Sequence, residues 1–463
     1  MKQLFLIFIA IVISNSAFGQ TKMKFKVEYS KLYATYNFIS KLSDYYPQNE
    51  FKKEFLNSKY NNNQYKQKIA QFDTLYIDYR YYFEQYSPTL KNSLASRFLI
   101  EKNLISSKTI KEFKTKSFGI VPIEELIALS KIIESFLPIY NELIFEPNQQ
   151  VFENHLSNIN NELTDNEVSV LFNEGLNFYG TNWDSDIPFK IIAFPTIGKS
   201  GIGAQAFLNI GVIRFPLNFK SYDVLYSVML HEMFHIVYDS QPISLKNNLK
   251  TWFTNTNSKN SQYASLLLNE VLATSLGNGY AFEKLKNKID TNDWYYVKYV
   301  NLMAKEIYPL IKEYINQKRT IDENFVKKYV AIYDTKFPEW NKELNNIFTY
   351  RTILGESRDD TRYIRRNYPP TIHKAIYGIS LSGIEALKKE PTTKIIIVSD
   401  NHKNKLQLIK DNFAETIHYK FMHQKEFIEI FDLEDRTKLI VINKYNSSVE
   451  KLIKSKFKNQ KLK

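Results

Sequence analysis

The chain has 463 residues, of which 44% are hydrophobic and 15% aromatic, with 13 glycines and 14 prolines; this composition excludes a disordered or collagen-like chain. The absence of cysteine excludes disulfide scaffolds, thiolate zinc sites and cysteine nucleophiles. The formal net charge of +13 is spread along the chain without a recognisable basic module, so no nucleic-acid partner is predicted.

The first element is a secretory signal, predicted over residues 1–19. Lys2 supplies its charge, Leu4–Ile13 is an apolar run too short to span a bilayer, and Ala17–Gly19 offers small residues for cleavage before Gln20. No second apolar stretch is long enough for a transmembrane helix. The sequence therefore predicts an exported protein, periplasmic or secreted, without stable membrane insertion.

Three regions are predicted after the signal. Residues 20–180 repeat apolar positions at helical spacing. Residues 181–390 begin with two strand-like stretches, 189–198 and 204–216, and then become mainly helical. Residues 391–463 alternate strands and helices, which predicts a small α/β unit with a parallel sheet. In that unit 393–400 and 438–445 are predicted strands, 416–422 a possible strand, and 404–415, 424–432 and 447–457 helices.

The segment SVMLHEMFHIVYD places polar groups in an apolar helix, predicted over Tyr222–Tyr238 with Ser221 as its N-cap. His231 and His235 lie one turn apart on one face, and every other face is apolar, so the helix is predicted to be buried. Buried imidazoles need a partner, and Zn²⁺ accepts two histidines at this spacing. Glu232 lies about 100° around the helix from His231, where its carboxylate can reach a water beside the metal.

A catalytic zinc site needs a third protein ligand. Glu270 is the strongest candidate, because it lies in another apolar helix, LLLNEVLATSLGNG, which Gly277 is predicted to end. The competing ligands are downstream histidines in less apolar surroundings: His373, His402, His418 and His423.

HEMFH followed by NEVLA resembles the gluzincin branch of the zinc metallopeptidases, over about Phe189 to Gly279. The resemblance implies His231, His235 and Glu270 as zinc ligands and Glu232 as general base. Two features depart from the family pattern. The interval from His235 to Glu270 is long, so NNLKTWFTNTNSKNSQ is expected to loop out. Thr274 stands where some members have Asp, so the hydrogen bond to a ligand histidine must come from Thr274, Asp239 or elsewhere.

Hydrolysis also needs a donor for the developing oxyanion. The sequence NYPPTIHKAIYGISLSG, residues 367–383, is predicted to begin a helix at its two prolines and to carry His373 and Tyr377 on one face. The resemblance implies a His or Tyr donor on a later helix, and either residue fits. It also implies that an edge strand before the active-site helix pairs with substrate backbone, although the sequence does not say which strand is the edge.

The predicted fold class is α+β, mainly helical, with an N-terminal helical region, a zincin-like catalytic core and a small C-terminal α/β unit. The predicted function is an exported zinc-dependent peptidase that acts on peptides or proteins, with Glu232 activating a water held at the metal. The alternative is a non-catalytic binding protein on the same scaffold, with a structural metal closed by a fourth protein ligand. The sequence makes no prediction of the oligomeric state.

Overall fold

The computed structural model describes residues 25–81, 94–163, 167–198, 201–368 and 372–458. The predicted signal peptide lies outside the described residues. Among those described, no helix is both long and apolar enough to cross a membrane.

The first part of the chain is helical, as predicted. Side-chain oxygens of Ser30, Asn49, Asn62 and Thr109 accept backbone N–H groups at four helix starts, which is why these helices begin where they do. The helices are α1 (Lys31–Leu42), α2 (Glu50–Leu56), α3 (Asn63–Thr74), α4 (Ser96–Ile105), α5 (Ile110–Ser117), α6 (Ile123–Tyr140), α7 (Gln149–Leu163) and α8 (Glu167–Tyr179). A π-helical turn (Asn141–Phe145) and a 3-10 turn (Glu146–Asn148) join α6 to α7.

A four-stranded sheet follows these helices and contains the strands β1 (Val27–Glu28), β4 (Lys190–Thr196), β5 (Gly203–Phe207) and β6 (Ile210–Pro216). Its order is β1-β4-β6-β5, with β4 parallel to β1 and β6, and β5 antiparallel to β6. Alternate residues of β4 enter different cores: Ile191 packs with the later helices and Ile192 with the N-terminal helices. Both faces of the sheet are covered, and α7 and α8, which precede residue 180, pack in the same core as the later helices, so the predicted boundary at residue 180 does not separate the two layers. The strands β2 (Arg80–Tyr81) and β3 (Leu94–Ala95) pair with each other as a separate antiparallel ribbon.

The middle of the chain is again helical, with α9 (Tyr222–Asp239), α10 (Ile243–Asn255), α11 (Ser261–Ala273), α12 (Phe282–Lys286), α13 (Lys298–Asn316), α14 (Glu323–Lys336) and α15 (Leu344–Ile347). A π-helix over Thr274–Ala281 joins α11 to α12, and a 3-10 turn (Trp340–Lys342) precedes α15.

Two local predictions for this region were wrong. The first part of the segment expected to loop out, residues 247–255, belongs to α10, because Leu249 and Phe253 bury an apolar face against α11 and α14; residues 256–260 form a loop. Gly277 does not end its helix. It lies inside the π-helix, where a Cβ would come within 2.6 Å of the His231 Cβ atom, so the glycine permits a close approach to α9.

The C-terminal unit is a five-stranded sheet in the order β10-β11-β9-β7-β8, with β10 antiparallel and the other four strands parallel. The strands are β7 (Tyr350–Gly355), β8 (Ile372–Tyr377), β9 (Thr393–Val398), β10 (Phe427–Asp432) and β11 (Lys438–Asn443). Helices α16 (Arg358–Asn367), α17 (Leu381–Lys388), α18 (His402–Asn412) and α19 (Val449–Lys456) cover both faces. The α/β alternation was predicted, but the sheet already includes β7 and β8, so the boundary predicted at residue 390 cuts through it.

Three assignments in this unit were wrong. The predicted helix over 424–432 is strand β10, because Phe427 to Asp432 pair with β11. The predicted helix after the two prolines is strand β8, paired with β7. The possible strand at 416–422 is a turn region. The molecule as a whole is mixed α and β with mainly helical content, which agrees with the predicted class.

Candidate metal centre

Two buried helices carry the candidate site. α9 has no polar face over its second half, so it lies in the core between the first sheet and the helices that follow, in contact with α11 and the π-helix. His231, Glu232 and His235 are all buried within it, and Glu270 is buried on α11. The packing of these helices therefore decides which polar groups face each other.

His231, His235 and Glu270 form one cluster of potential metal ligands. The two Nε2 atoms are 3.1 Å apart, and Glu270 Oε2 lies 3.4 Å from His235 Nε2 and 3.9 Å from His231 Nε2. These residues are the one group of three or more such side chains within the described residues whose ligand atoms converge in this way. The predicted third ligand therefore lies beside both imidazoles, and the competing histidines do not.

Two asparagines hold the imidazoles in place. His231 Nδ1 lies 2.9 Å from Asn278 Oδ1, and His235 Nδ1 lies 2.9 Å from Asn269 Oδ1. An amide oxygen accepts a hydrogen bond, so each Nδ1 carries the proton and donates it. In a neutral ring, Nε2 is then the unprotonated nitrogen, which is the form that binds a metal. Neither Thr274 nor Asp239 fills this role.

The donor set fits a metal ion of the zinc type. Two neutral imidazole nitrogens direct their lone pairs towards a carboxylate oxygen that carries negative charge. Bringing these three atoms together inside the core is unfavourable unless a cation or a proton lies between them. A tetrahedral ion with bonds of about 2.0–2.1 Å separates its ligand atoms by about 3.3 Å. The three observed separations lie on both sides of this value, so His231, His235 and Glu270 can hold such an ion with little movement.

The cluster opens into a cavity of about 740 Å³. Glu232 lines this cavity beside the two histidines but is not a member of the three-residue cluster. The edge strand β5 lines the same cavity through residues 203–206, and on one side it has no strand neighbour among the residues that the structure describes. The cavity thus combines three potential metal-ligand atoms, a further carboxylate and the edge of a strand.

Aromatic residues cover another side of the cluster. The Tyr295 ring stacks on His231, with centroids 5.9 Å apart and planes 15° apart, and Tyr296 stacks on Tyr295 at 4.6 Å. The Tyr295 hydroxyl lies near the Glu270 carboxylate. Burial, followed by the charge of Glu270, raises the pKa of Tyr295 far above its usual range, so this phenol stays protonated and remains a donor.

The structure does not bring His373 and Tyr377 to this cavity. His373 lies on β8, where its Nδ1 accepts a hydrogen bond from Arg351 Nε at 3.2 Å. Burial and the positive charges of Arg351 and Arg365 lower its pKa to about 4. Tyr377, at the end of the same strand, is exposed. The prediction of a helix presenting these residues was wrong, because residues 372–377 pair with a parallel sheet strand instead.

Sequence reasoning missed Asn269, Asn278 and Tyr295. Asn269 precedes Glu270 in an apolar helix, and a half-buried amide there signals a need for hydrogen-bond partners. Asn278 and Tyr295 gave a weaker signal, since only the π-helix and the fold of residues 287–297 direct them towards the histidines. Comparison with protein-family models, with curated protein sequences and with solved structures found no match.

Proposed function

We propose that this protein is a zinc-dependent peptidase with its catalytic centre at His231, His235 and Glu270. One observation carries the proposal: two histidines whose Nδ1 atoms are committed to asparagines turn their Nε2 atoms towards a buried carboxylate. When bound, zinc supplies Lewis acidity, which polarises a carbonyl oxygen and makes a water more acidic. HEMFH with NEVLA, the pattern that resembles the gluzincins, supports the same reading.

Glu232 acts as the general base. Its carboxylate accepts a proton from a water in the cavity as the water oxygen attacks the peptide carbonyl carbon. It then passes that proton to the amide nitrogen as the C–N bond breaks, so that one water is consumed and a carboxylic acid and an amine are released. The support for this role is that Glu232 faces the cavity without belonging to the ligand cluster.

Substrate orientation is assigned to β5 and oxyanion stabilisation to Tyr295. The unpaired edge of β5 offers backbone N–H and C=O groups to an extended peptide, which then lies along the cavity. Tyr295 replaces His373 and Tyr377 as the candidate donor, because it is a protonated phenol at the ligand cluster.

The alternative function, a non-catalytic protein with a structural metal, requires a site closed by a fourth protein ligand. Within the described part of the chain, the cluster holds three ligand atoms and opens into a large cavity. This arrangement favours a catalytic site. Export, as well as peptidase activity, remains a prediction from the sequence.

The test is to measure zinc content by mass spectrometry and cleavage of a peptide library, for the wild type and for Glu232→Gln. We expect about one zinc per chain in both proteins, and a loss of cleavage of about 10²–10⁴-fold in the variant, because the amide cannot accept the proton.

The control is Glu356→Gln, which alters a half-buried carboxylate just after β7 in the C-terminal unit and is expected to leave cleavage unchanged. Cleavage retained in Glu232→Gln would remove Glu232 as the base. A zinc-free wild type would instead favour a proton shared between the two histidines over a metal.

A further inference from the structure

Arg214 extends from the first sheet towards the cavity across the bare backbone of Gly203. It lies on β6, opposite Gly203 on the edge strand β5. A Cβ atom at residue 203 would lie 2.5 Å from a guanidinium nitrogen of Arg214, so the bare glycine makes room for this side chain. The positive charge is therefore held over the strand that is proposed to bind the substrate.

Arg214 lies between two adjoining cavities. It lines the large cavity of the metal centre, together with His231 and Glu232, and a smaller one of about 220 Å³. The smaller cavity also contains Lys41 and Tyr46, and both Arg214 and Gly203 belong to the two cavities alike. A side chain or chain end in the smaller cavity can therefore belong to a peptide whose backbone lies at the metal centre.

Two positive charges converge here without a carboxylate partner. The hydroxyl of Tyr46 accepts a hydrogen bond from Lys41, and the nearby Arg214 guanidinium contributes to lowering the pKa of Tyr46. Among the residues that the structure describes, neither cation forms an ion pair. Glu50 lines the same cavity but pairs with Lys53 at 3.6 Å.

The proximity of Arg214 also affects Lys41. Burial and then, more weakly, the charge of Arg214 lower the pKa of Lys41, although the Tyr46 hydroxyl acts in the opposite direction. Two like charges held this close, half-buried and next to open space, favour an anion between them.

We propose that Arg214, with Lys41, forms a subsite for a carboxylate of the peptide substrate, which is either its C-terminal α-carboxylate or the side chain of an Asp or Glu residue. The inference rests on the proposed peptidase function and adds a substrate class to it. Arg214 binds the carboxylate through two parallel N–H groups, and Lys41 supplies a second positive charge. The subsite makes the protein selective for acidic peptides, or for peptide ends.

Binding is measured separately from cleavage, by fluorescence anisotropy of dye-labelled hexapeptide pools on the Glu232→Gln protein. One pool carries a single Glu at each position in turn with an amidated C-terminus, and a second carries Gln in its place. A third has Gln and a C-terminal carboxylate. We expect the Glu pool or the carboxylate pool to bind about tenfold more tightly than the neutral pool, and the preference to weaken with salt.

Two variants test whether Arg214 is responsible. Arg214→Gln removes the charge, and Gly203→Ala retains every charge but forces the guanidinium to move. Both are expected to abolish the preference, and thermal unfolding checks that each is folded. Lys259→Gln, at an exposed position, removes the same charge and is expected to retain the preference.

Equal binding of all three pools, or no binding, would overturn the subsite, as would a preference that survives in both variants. The pool that binds best identifies the source of the carboxylate. Cleavage by the wild-type protein is scored separately. An acidic preference without any cleavage would leave the subsite standing and reject the peptidase function, whereas cleavage without preference would reject only the subsite.

Discussion

Each candidate ligand histidine is oriented by a neutral amide. Asn269 and Asn278 accept the two Nδ1 protons at 2.9 Å and so fix both rings in the tautomer that presents Nε2. An amide orients a ring as well as a carboxylate does, but it adds no negative charge to the site. A divalent ion bound by these three residues would therefore keep a net positive charge, which would favour a polarised carbonyl in the cavity.

Asn278→Ala is expected to weaken zinc binding by about 10–100-fold, because the His231 ring loses the partner that orients it. Competition with a chelating dye measures the affinity. Asn247→Ala changes an exposed asparagine on α10 and serves as the control. An unchanged affinity for zinc in Asn278→Ala would show that the packing of the ring is sufficient to orient it.

Tyr295→Phe is expected to retain zinc and to lower kcat by about 10²–10³-fold, since one oxyanion donor is removed while the ring still stacks on His231. Steady-state kinetics and zinc content are measured together. Tyr296→Phe removes the hydroxyl from the neighbouring, exposed ring and is the matched control. If Tyr295→Phe loses zinc but its zinc-loaded fraction keeps the wild-type kcat, the role of Tyr295 is limited to holding Glu270.

At the level of secondary-structure elements, the site depends on how closely the π-helix approaches α9. A Cβ at Gly277 would lie 2.6 Å from the His231 Cβ and 2.7 Å from its backbone nitrogen. We expect Gly277→Ala to push the two helices apart, to lower the free energy of unfolding by about 1–3 kcal/mol and to weaken zinc binding. Urea unfolding and zinc titration provide the measurements.

The control for this substitution is Gly211→Ala on β6, where an added Cβ meets no atom within 4 Å. It should change the stability little and leave zinc affinity intact. If Gly277→Ala behaves like the control, the close helix contact is not needed for the site.

The local pattern was sufficient to predict α9 and the position of its two histidines on one face. An apolar run with His231 and His235 at helical spacing specifies both the helix and the shared face. Glu270 followed from the cost of an isolated buried carboxylate. The pairing of Asn278 with His231 could not be predicted, because it depends on the π-helix continuing past Gly277, where the sequence favours a helix end.

The errors in the C-terminal unit have a common cause. Phe427, Ile428 and Phe431 fit the spacing of a helix as well as that of a strand, and pairing with β11 decides between them. The two prolines before β8 suit the start of a helix, yet parallel pairing with β7 makes the following segment a strand. Long-range partners determine such segments, and a single sequence does not reveal them.

At the scale of the whole molecule, stability is expected to depend on pH through Glu101, a buried carboxyl on α4. Burial raises its pKa from 4.5 to about 7, against the opposing charge of Arg97. The folded protein therefore binds this proton more tightly than the unfolded chain does. Between about pH 4.5 and 7 the contribution of Glu101 to the free energy of unfolding falls as the pH rises.

Glu101→Gln removes this titration. We expect the variant to be more stable than the wild type by about 1–3 kcal/mol at pH 8, and the difference to shrink towards pH 5, where the wild-type carboxyl is protonated. Urea unfolding at both pH values is the measurement, with the exposed Glu339→Gln as control. A difference that grows on acidification would contradict the assignment.

The helix α10 lies in the chain between the two ligand helices α9 and α11. If His235 and Glu270 bind the proposed ion, that ion closes this part of the chain into a loop. The free-energy cost of closing a loop increases slowly with its length, by about 0.6 kcal/mol for each doubling. Thr254, Asn255 and Asn257 are exposed at the far end of α10. We therefore expect the protein to accept an inserted epitope or fluorescent tag there. The insert would report on the region between α9 and α11, and neither helix would carry a substitution.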